Sequence, residues 1–543
     1  MAEFSLNSRD EVDVLIVGAG PAGGMAAKHL GRCGLNVVCL EQGEWLDPDG
    51  YPGARPEGEL MATQRWHTSP NIRLLESDYP IDVSETDCEP IMFNGVGGST
   101  ILWGACWHRL RPSDFAVRSL DGVADDWPIS YQDLVPYYEE AAADMAVSGF
   151  DGDPAFPAPH RYPLPALPIG RIGLKLAAGM NALGWHWWPG SNAIPSKPYR
   201  HLNACARLGV CMQGCPEGAK AVADKAFWID AVAHGVRLLT GARAKQVTIN
   251  NRGVATGVVW IDRSGVEHHQ RAAQVILCAN GIGSARLLLL SQSGRFPNGL
   301  ANSSGLVGRN LMMHPMSIVT GLFDEPLESW VGPIGQSIYS MQFYESDPSR
   351  GFVRGAKWHL APTGGPLANH PGLNGASLDE GWGANLHRAM RRQLGRSAAW
   401  IICGEDLPYP DNRIELSSQL TDSDGIPAVK VHYRSGPNET ALRKWHMARA
   451  SESMRAAGAV QTNEIPVIPH TGAHHLGTAR MGDDPERSVT NRWGATHDVP
   501  NLHIYDGSLF VTSGGVNPTA TICALSSRCV QHLIATRREC EVA

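Results

Sequence analysis

The segment Gly18-Ala19-Gly20-Pro21-Ala22-Gly23 constrains this chain most, because it fits G-x-G-x-x-G directly after the β-branched run Val12–Val17. Each glycine answers a separate steric demand. Gly18 permits the tight turn out of a strand, Gly20 lets the backbone approach a pyrophosphate, and Gly23 lets helix and strand pack closely. Small and apolar residues at helical spacing continue from Pro21 to Cys33, and Leu35–Leu40 reads as a second strand. The result is a βαβ unit whose helix N-terminus offers free N–H groups and a positive dipole end to phosphates. Glu41 closes the second strand 21 residues after Gly20, where an acid accepts hydrogen bonds from a ribose. The loop alone would also suit a plain glycine-rich turn; strand, loop, helix, strand and acid in order point to a nucleotide. The pattern does not separate FAD from NAD, and an acid at Glu41 disfavours NADP.

At 543 residues the chain exceeds what one hydrophobic core usually serves, so two domains are expected. Hydrophobic residues at 43% and charged residues at 18% describe a folded chain and not a disordered one. A net charge of -8 argues against a nucleic-acid partner, which needs a basic face. Glu3, Asp10, Glu11 and Asp13 precede or open the first apolar run, which does not resemble a secretory signal, and no stretch is long enough to span a bilayer. A cytoplasmic location is the expectation, with periplasmic delivery alongside a signal-bearing partner as the alternative. The 12 cysteines then read as reduced thiols or metal ligands and not as a disulfide framework.

Further along, Trp45 to Pro90 lacks periodicity and predicts a long surface excursion. Strand and helix character returns at Gln274–Ala279 and Ser284–Ser291. The stretch from Met316 to Pro466 has mixed patterns and no nucleotide signal, and the chain ends in a predicted helix over Thr519–Thr536. No internal repeat or low-complexity tract is present.

Near the C-terminus stand His474-His475-Leu476-Gly477-Thr478, then Asp506-Gly507-Ser508, then Asn517-Pro518-Thr519. A neutral histidine can take a hydroxyl proton while a neighbouring amide holds the oxygen. In isolation, a satisfied histidine and a turn asparagine would be the simpler reading. Together with Gly18 to Gly23, Asn94–Thr100, Leu277–Arg286, and Val307–Leu311 followed by His314-Pro315, these segments resemble the glucose–methanol–choline (GMC) oxidoreductase family over nearly the whole chain. The resemblance implies an α/β fold: a Rossmann-like FAD-binding domain assembled from discontinuous segments (about 1–130, 200–315 and 466–543) and a substrate domain with an antiparallel sheet (131–199 and 316–465). It also implies FAD and oxidation of an alcohol, polyol or sugar hydroxyl by hydride transfer. The family's His-x-x-Gly-Thr register falls on His474 as base, and its second position falls on Asn517. His475 takes a structural role, and His314, in a different motif, is structural or near the cofactor. Asp506 and Gly507 match the stretch that meets the diphosphate and ribityl chain, and Asn517, Pro518 and Thr519 approach the flavin ring.

Gly97, Gly98 and Ser99 lie where relatives hold the flavin edge, with Trp103, Trp107 and Arg109 nearby. Some relatives carry a covalently bonded histidine at the position of Leu102; leucine here implies non-covalent FAD. Cys205, Cys211 and Cys215-Pro216 have a spacing similar to that of bacterial FAD-dependent sugar dehydrogenase subunits that carry an iron–sulfur cluster, which would imply an electron-transfer partner subunit. Three reduced thiols on a loop is the other reading, and zinc lacks a fourth ligand at suitable spacing. A dehydrogenase is favoured over an oxidase using oxygen, and a non-redox lyase of the same fold is the alternative. The substrate itself is unread: Trp330, Trp358, Trp382 and Trp400 could stack on it or simply pack.

Overall fold

The structure, a computed structural model, describes residues 11–61, 64–158, 160–367 and 383–542. The first unit forms as the spacing predicts: β1 (Val12–Val17), α1 (Pro21–Arg32) and β2 (Val37–Glu41). Every residue of β2 is buried, as a parallel strand covered on both faces requires. β1 pairs in parallel with β2 and with the end of the strand Glu267–Leu277, which in turn pairs in parallel with Leu502–Ile504. Arg237–Thr240 adds in parallel to β2, and the first half of Glu267–Leu277 carries the antiparallel strands Ala255–Ile261 and Arg243–Ile249. One seven-stranded sheet is thus assembled from distant stretches of chain.

Its register sets the location of the site. Val17 lies opposite Leu277, and Leu277 opposite Ile504, so three parallel strands end at one level. The turns that follow them, at Gly18, Cys278–Asn280 and Tyr505–Asp506, therefore emerge along one edge, where open α/β sheets bind their ligands.

A second, six-stranded antiparallel sheet runs in the order Gln461–Ile465, Ser317–Leu322, Ser397–Gly404, Ala356–Ala361, Ile338–Ser340, Trp188–Pro189. The helix Pro437–Ala456 covers one face, where Leu442, Met447, Ala450 and Met454 join a core with Trp358 and Trp400. Trp358 Nε1 donates to His446 Nδ1 of that helix at 2.9 Å. Strand alternation then sends Lys357 and His359 to the opposite face. These tryptophans are core residues; Trp330 is 47% exposed, and Trp382 lies outside the described residues.

Two segments pack differently from the grouping that sequence suggests. Arg413–Thr421 and Pro427–Tyr433 pair with Ile81–Thr86 in a three-stranded sheet, and Asp422 and the Pro427 carbonyl hold Arg286 of the helix Asn280–Leu290. The helix Tyr131–Asp144 joins α1 and the terminal helix Thr519–Val542, through Lys28 with Asp144 and Glu140 and through Tyr138 with Thr521. These partners are not readable from sequence, because apolar periodicity reports that a face is buried but not what buries it. The excursion from Trp45 to Pro90 contains the short helices Gly58–Met61 and Pro70–Arg73 besides the strand Ile81–Thr86. Among the described residues no helix is long and apolar enough to cross a membrane.

A buried charge cluster ties the antiparallel sheet to the short helices Pro112–Phe115 and Val117–Asp121. Arg354, with its side chain 1% exposed, binds Glu405 at 2.8 Å, Asp121 at 3.1 Å and Asp114. Removing one member of such a cluster strands buried carboxylates, so Arg354→Met is expected to cost about 3–5 kcal/mol. The urea midpoint of the flavin-loaded protein should fall accordingly; an unchanged midpoint would show that the cluster contributes no net stability.

Candidate active site

The glycine loop is held by contacts that a side chain would destroy. A Cβ on Gly23 would come within 2.0 Å of the Gly18 carbonyl oxygen, and one on Gly18, at φ +101, within 2.4 Å of the Cys278 carbonyl oxygen. A Cβ on Gly20, by contrast, would meet nothing within 4 Å, so its face is open toward the cavity above it. The second glycine loop touches the first: Gly97 N donates to the Ala19 carbonyl at 2.9 Å, and a Cβ on Gly98 would lie 2.9 Å from Gly20 Cα. Glu41 accepts the Ala19 N–H and the Gly43 N–H, both at 2.9 Å, one on each carboxylate oxygen. Burial pushes its pKa up against those two bonds, and each oxygen keeps a lone pair for a ligand hydroxyl.

A cavity of about 420 Å³ extends from this loop to the C-terminal motifs. Gly18, Gly20, Glu41, Gly98, Ser99, Asp506, Gly507, Pro518 and Thr519 line it, and so do His474 and Asn517. Gly23 and Gly97 stand behind the wall and act through packing. Asp506 is braced by Ser284 Oγ at 2.5 Å and by Ser508 N and Oγ at 2.9 and 2.6 Å. Gly507 and Gly281 both face the His475 carbonyl, where a Cβ would fall at 2.5 and 2.3 Å, so the histidine segment is gripped from two sides. These features fit an FAD: an open glycine face under a helix N-terminus without acids, a carboxylate with free lone pairs, and a continuous cleft to a polar end.

At that far end His474 and Asn517, 43 residues apart in sequence, bring His474 Nε2 and Asn517 Nδ2 to 3.5 Å. His474 is half-buried, and burial, with His314, Lys357 and His475 around it, holds its pKa well below the ordinary histidine value. His474 itself is therefore neutral. His475 instead bonds the Gly472 carbonyl through Nε2 at 2.9 Å, and burial lowers it to about 4. Leu102 lines the cavity, as does Trp103, whose indole donates to the Ala221 carbonyl at 3.1 Å. Trp107 and Arg109 do not line it; Arg109 lies over the Tyr138 ring.

Sequence reasoning missed Lys357, which is fully buried and donates to Asn517 Oδ1 at 2.5 Å. Its signal was a lysine inside the apolar strand Ala356–Ala361, a place where lysines are rarely buried unless paired. Burial lowers its pKa. His359, on the same face of that strand, also lines the cavity, together with Met316, Ile334 and Ile401.

Cys205, Cys211 and Cys215 do not line the cavity, but Met212 between them does. Cys205 Sγ accepts the Arg207 N–H and Cys215 Sγ the Ala219 N–H, both at 3.3 Å. Lys220, lowered to about 8 by burial, ties this loop to the flavin-edge segment by donating to the carbonyls of Cys211 at 2.5 Å, Ile101 at 2.8 Å and Trp103 at 3.1 Å. The three Sγ atoms do not all lie within 4.8 Å of one another, so they form no preassembled single-ion site.

Comparison with known proteins agrees with this geometry. Residues 175–316 and 408–526 match the N- and C-terminal parts of the family described as GMC oxidoreductase, and residues 11–52 match an FAD binding domain. A 2-methyl-1,2-propanediol dehydrogenase of Mycolicibacterium austroafricanum is 39% identical over 96% of this chain and 95% of its own. The fructose dehydrogenase large subunit of Gluconobacter japonicus is 31% identical over 97% of this chain and 98% of its own. The formate oxidase of Aspergillus oryzae RIB40, at 15% identity, shares the fold with a TM-score of 0.66 over 98% of this chain and 99% of that one. The chain belongs to the GMC oxidoreductase family.

Proposed function

We propose that this protein is a dehydrogenase that oxidises a hydroxyl group of a small alcohol, diol or sugar, with His474 as the base and Asn517 as the oxygen-holding partner. The observation that carries the reading is the 3.5 Å approach of His474 Nε2 to Asn517 Nδ2 at the end of the cofactor-sized cleft. One substrate oxygen can lie within hydrogen-bond reach of both nitrogens. Bound FAD supplies an electron-poor ring that accepts hydride. His474 takes the hydroxyl proton, which makes the adjacent C–H a better hydride donor. Asn517, anchored by Lys357 on its carbonyl side, turns N–H donors toward the oxygen that becomes a carbonyl.

The preference for a dehydrogenase rests on relatives named as dehydrogenases at 39% and 31% identity. An electron-transfer partner subunit fits the second of these, which is named as a large subunit. An iron–sulfur cluster on Cys205, Cys211 and Cys215 would link flavin to partner. Its support is the pair of N–H···S bonds and the position of this loop against the cavity wall through Met212.

His474→Ala is expected to lower the rate of flavin reduction by substrate without oxygen about 10²–10⁴-fold while FAD stays bound. Asn517→Ala should slow the same step less. An unchanged rate in His474→Ala would refute the base, and flavin that never bleaches with any alcohol or sugar would favour a non-redox lyase.

The cofactors have their own test. Leucine at 102 offers no nucleophile, so acid precipitation should leave all yellow colour in the filtrate. Electron paramagnetic resonance should show an iron–sulfur signal that Cys211→Ser abolishes; a protein without iron would leave three free thiols.

A further inference from the structure

We propose that His314 is the positioning partner of His474: it fixes the tautomer that makes His474 a base, and it receives the proton that turnover delivers to the pair. The inference rests on the reading of His474 as the base. His314 is buried and belongs to a motif the proposed chemistry leaves without a task.

The chain of contacts is pinned at both ends by groups with only one hydrogen-bonding role. At one end, His314 Nε2 lies 2.5 Å from the Gly514 carbonyl, which can only accept, so Nε2 carries a hydrogen. At the other, the Lys357 ammonium can only donate, so Asn517 Oδ1 accepts from it and Nδ2 is the atom that faces His474 Nε2. A donor at that position calls for a bare lone pair on His474 Nε2. Neutral His474 then carries its hydrogen on Nδ1 and donates it to His314 Nδ1, 2.9 Å away, whose lone pair is free because its own hydrogen is on Nε2. The opposite His474 tautomer would set two donors face to face beside Asn517.

The same contacts define the proton's route. The substrate O–H bond breaks and its proton bonds to His474 Nε2. The Nδ1–H bond of His474 breaks in turn, and that proton bonds to His314 Nδ1. The electron pair left on the substrate oxygen becomes the new C–O π bond as hydride leaves the carbon for the flavin. One proton enters the pair, and the charge rests on His314.

The surroundings favour that resting place. His314 faces the Asp406 carboxylate, whose Oδ1 makes no hydrogen bond among the described residues and lies 3.6 Å from His314 Nε2. Asp406 Oδ2 is held by the Met313 N–H at 2.7 Å and the Tyr433 hydroxyl at 2.8 Å. Cys403 Sγ lies within 4.8 Å of a ring nitrogen of each histidine, and Glu405 also bears electrostatically on His314. His474 faces Lys357, His475 and His359 instead, none of which favours a second positive charge. Burial alone would lower His314, but Cys403, Asp406 and the Gly514 carbonyl outweigh it and raise it to about 9.

The sign of the pH dependence follows. A pair that already holds the extra proton has no lone pair at His474 Nε2, so the reductive rate rises with pH as that proton leaves. Its acid limb lies above the ordinary histidine range.

The experiment is anaerobic flavin reduction of the FAD-loaded enzyme as a function of pH, with flavin content checked in each variant. Asp406→Asn keeps an oxygen for Met313, His314 and Tyr433 but removes the charge. It should move the acid limb down by about one pH unit with the alkaline plateau retained. His314→Asn places an oxygen near the former Nδ1, so it should rescue most of the plateau with the limb shifted to lower pH. His314→Ala, with no acceptor, should lose about 100-fold at the plateau. A wild-type plateau and limb in His314→Ala would overturn the proposal, as would equal losses in Asn and Ala variants with every limb unmoved. A wild-type rate in His474→Ala would instead refute the base reading, whatever the His314 variants do.

Discussion

The approach of Gly23 to the Gly18 carbonyl is the contact on which the rest of the molecule depends. It brings α1 close enough to β1 for the helix N-terminus to overhang the strand end, and no side chain fits between them. β1 sits between β2 and the strand Glu267–Leu277, so the position of that turn fixes where the next turns emerge. Cys278 packs against Gly18, Gly98 packs against Gly20, and Asp506 follows the strand Leu502–Ile504, which pairs in register with Glu267–Leu277. The cofactor cleft is therefore a consequence of strand register and glycine packing, and its polar residues are added to a shape already set by backbone.

The polar end of the cleft is built on a different principle. Its groups arrive from both sheet systems: His474 and Asn517 on turns beside the parallel sheet, Lys357 from the antiparallel sheet, and His314 from the connection that leads into it. Two of them are fixed by a partner of single hydrogen-bonding character, His314 by the Gly514 carbonyl and Asn517 by the Lys357 ammonium. Long side chains in a buried pocket lose rotamer freedom once and stay aligned through turnover, which is how preorganised sites avoid reorganisation during reaction. Arg354 and its three carboxylates tie the antiparallel sheet to the short helices that carry Asp114 and Asp121.

The nucleotide half was legible because it is written locally. Gly18 to Gly23, the flanking strands and Glu41 are contiguous, and β1, α1 and β2 fall within a residue or two of their expected bounds. His474 and Asn517 could be assigned from the family register, although nothing local says that they meet. The remainder depends on long-range pairing. Lys357 differs from a surface lysine only through its position on the inward face of a strand, and that face is decided by the helix Pro437–Ala456 far along the chain. His314 looked structural because its partners, Gly514 and Asp406, lie 200 and 92 residues away. The tryptophans misdirect for the same reason: Trp358 and Trp400 alternate with cavity-facing neighbours and so point into the core.

Lys357 and Asp406 also give the site a direction. The ammonium lies behind Asn517 and the carboxylate behind His314, with His474 between them. In the proposed mechanism a positive charge on His474 would be repelled from the first and drawn toward the second. A negative charge developing on the substrate oxygen is favoured by the same ammonium, relayed through the Asn517 amide. Burying an ammonium against the neutral acceptors Asn517 and Gln336 destabilises the resting protein. In the proposed mechanism the same ammonium would favour negative charge on the oxygen that Asn517 holds, so the cost of burying it would be offset where that charge develops.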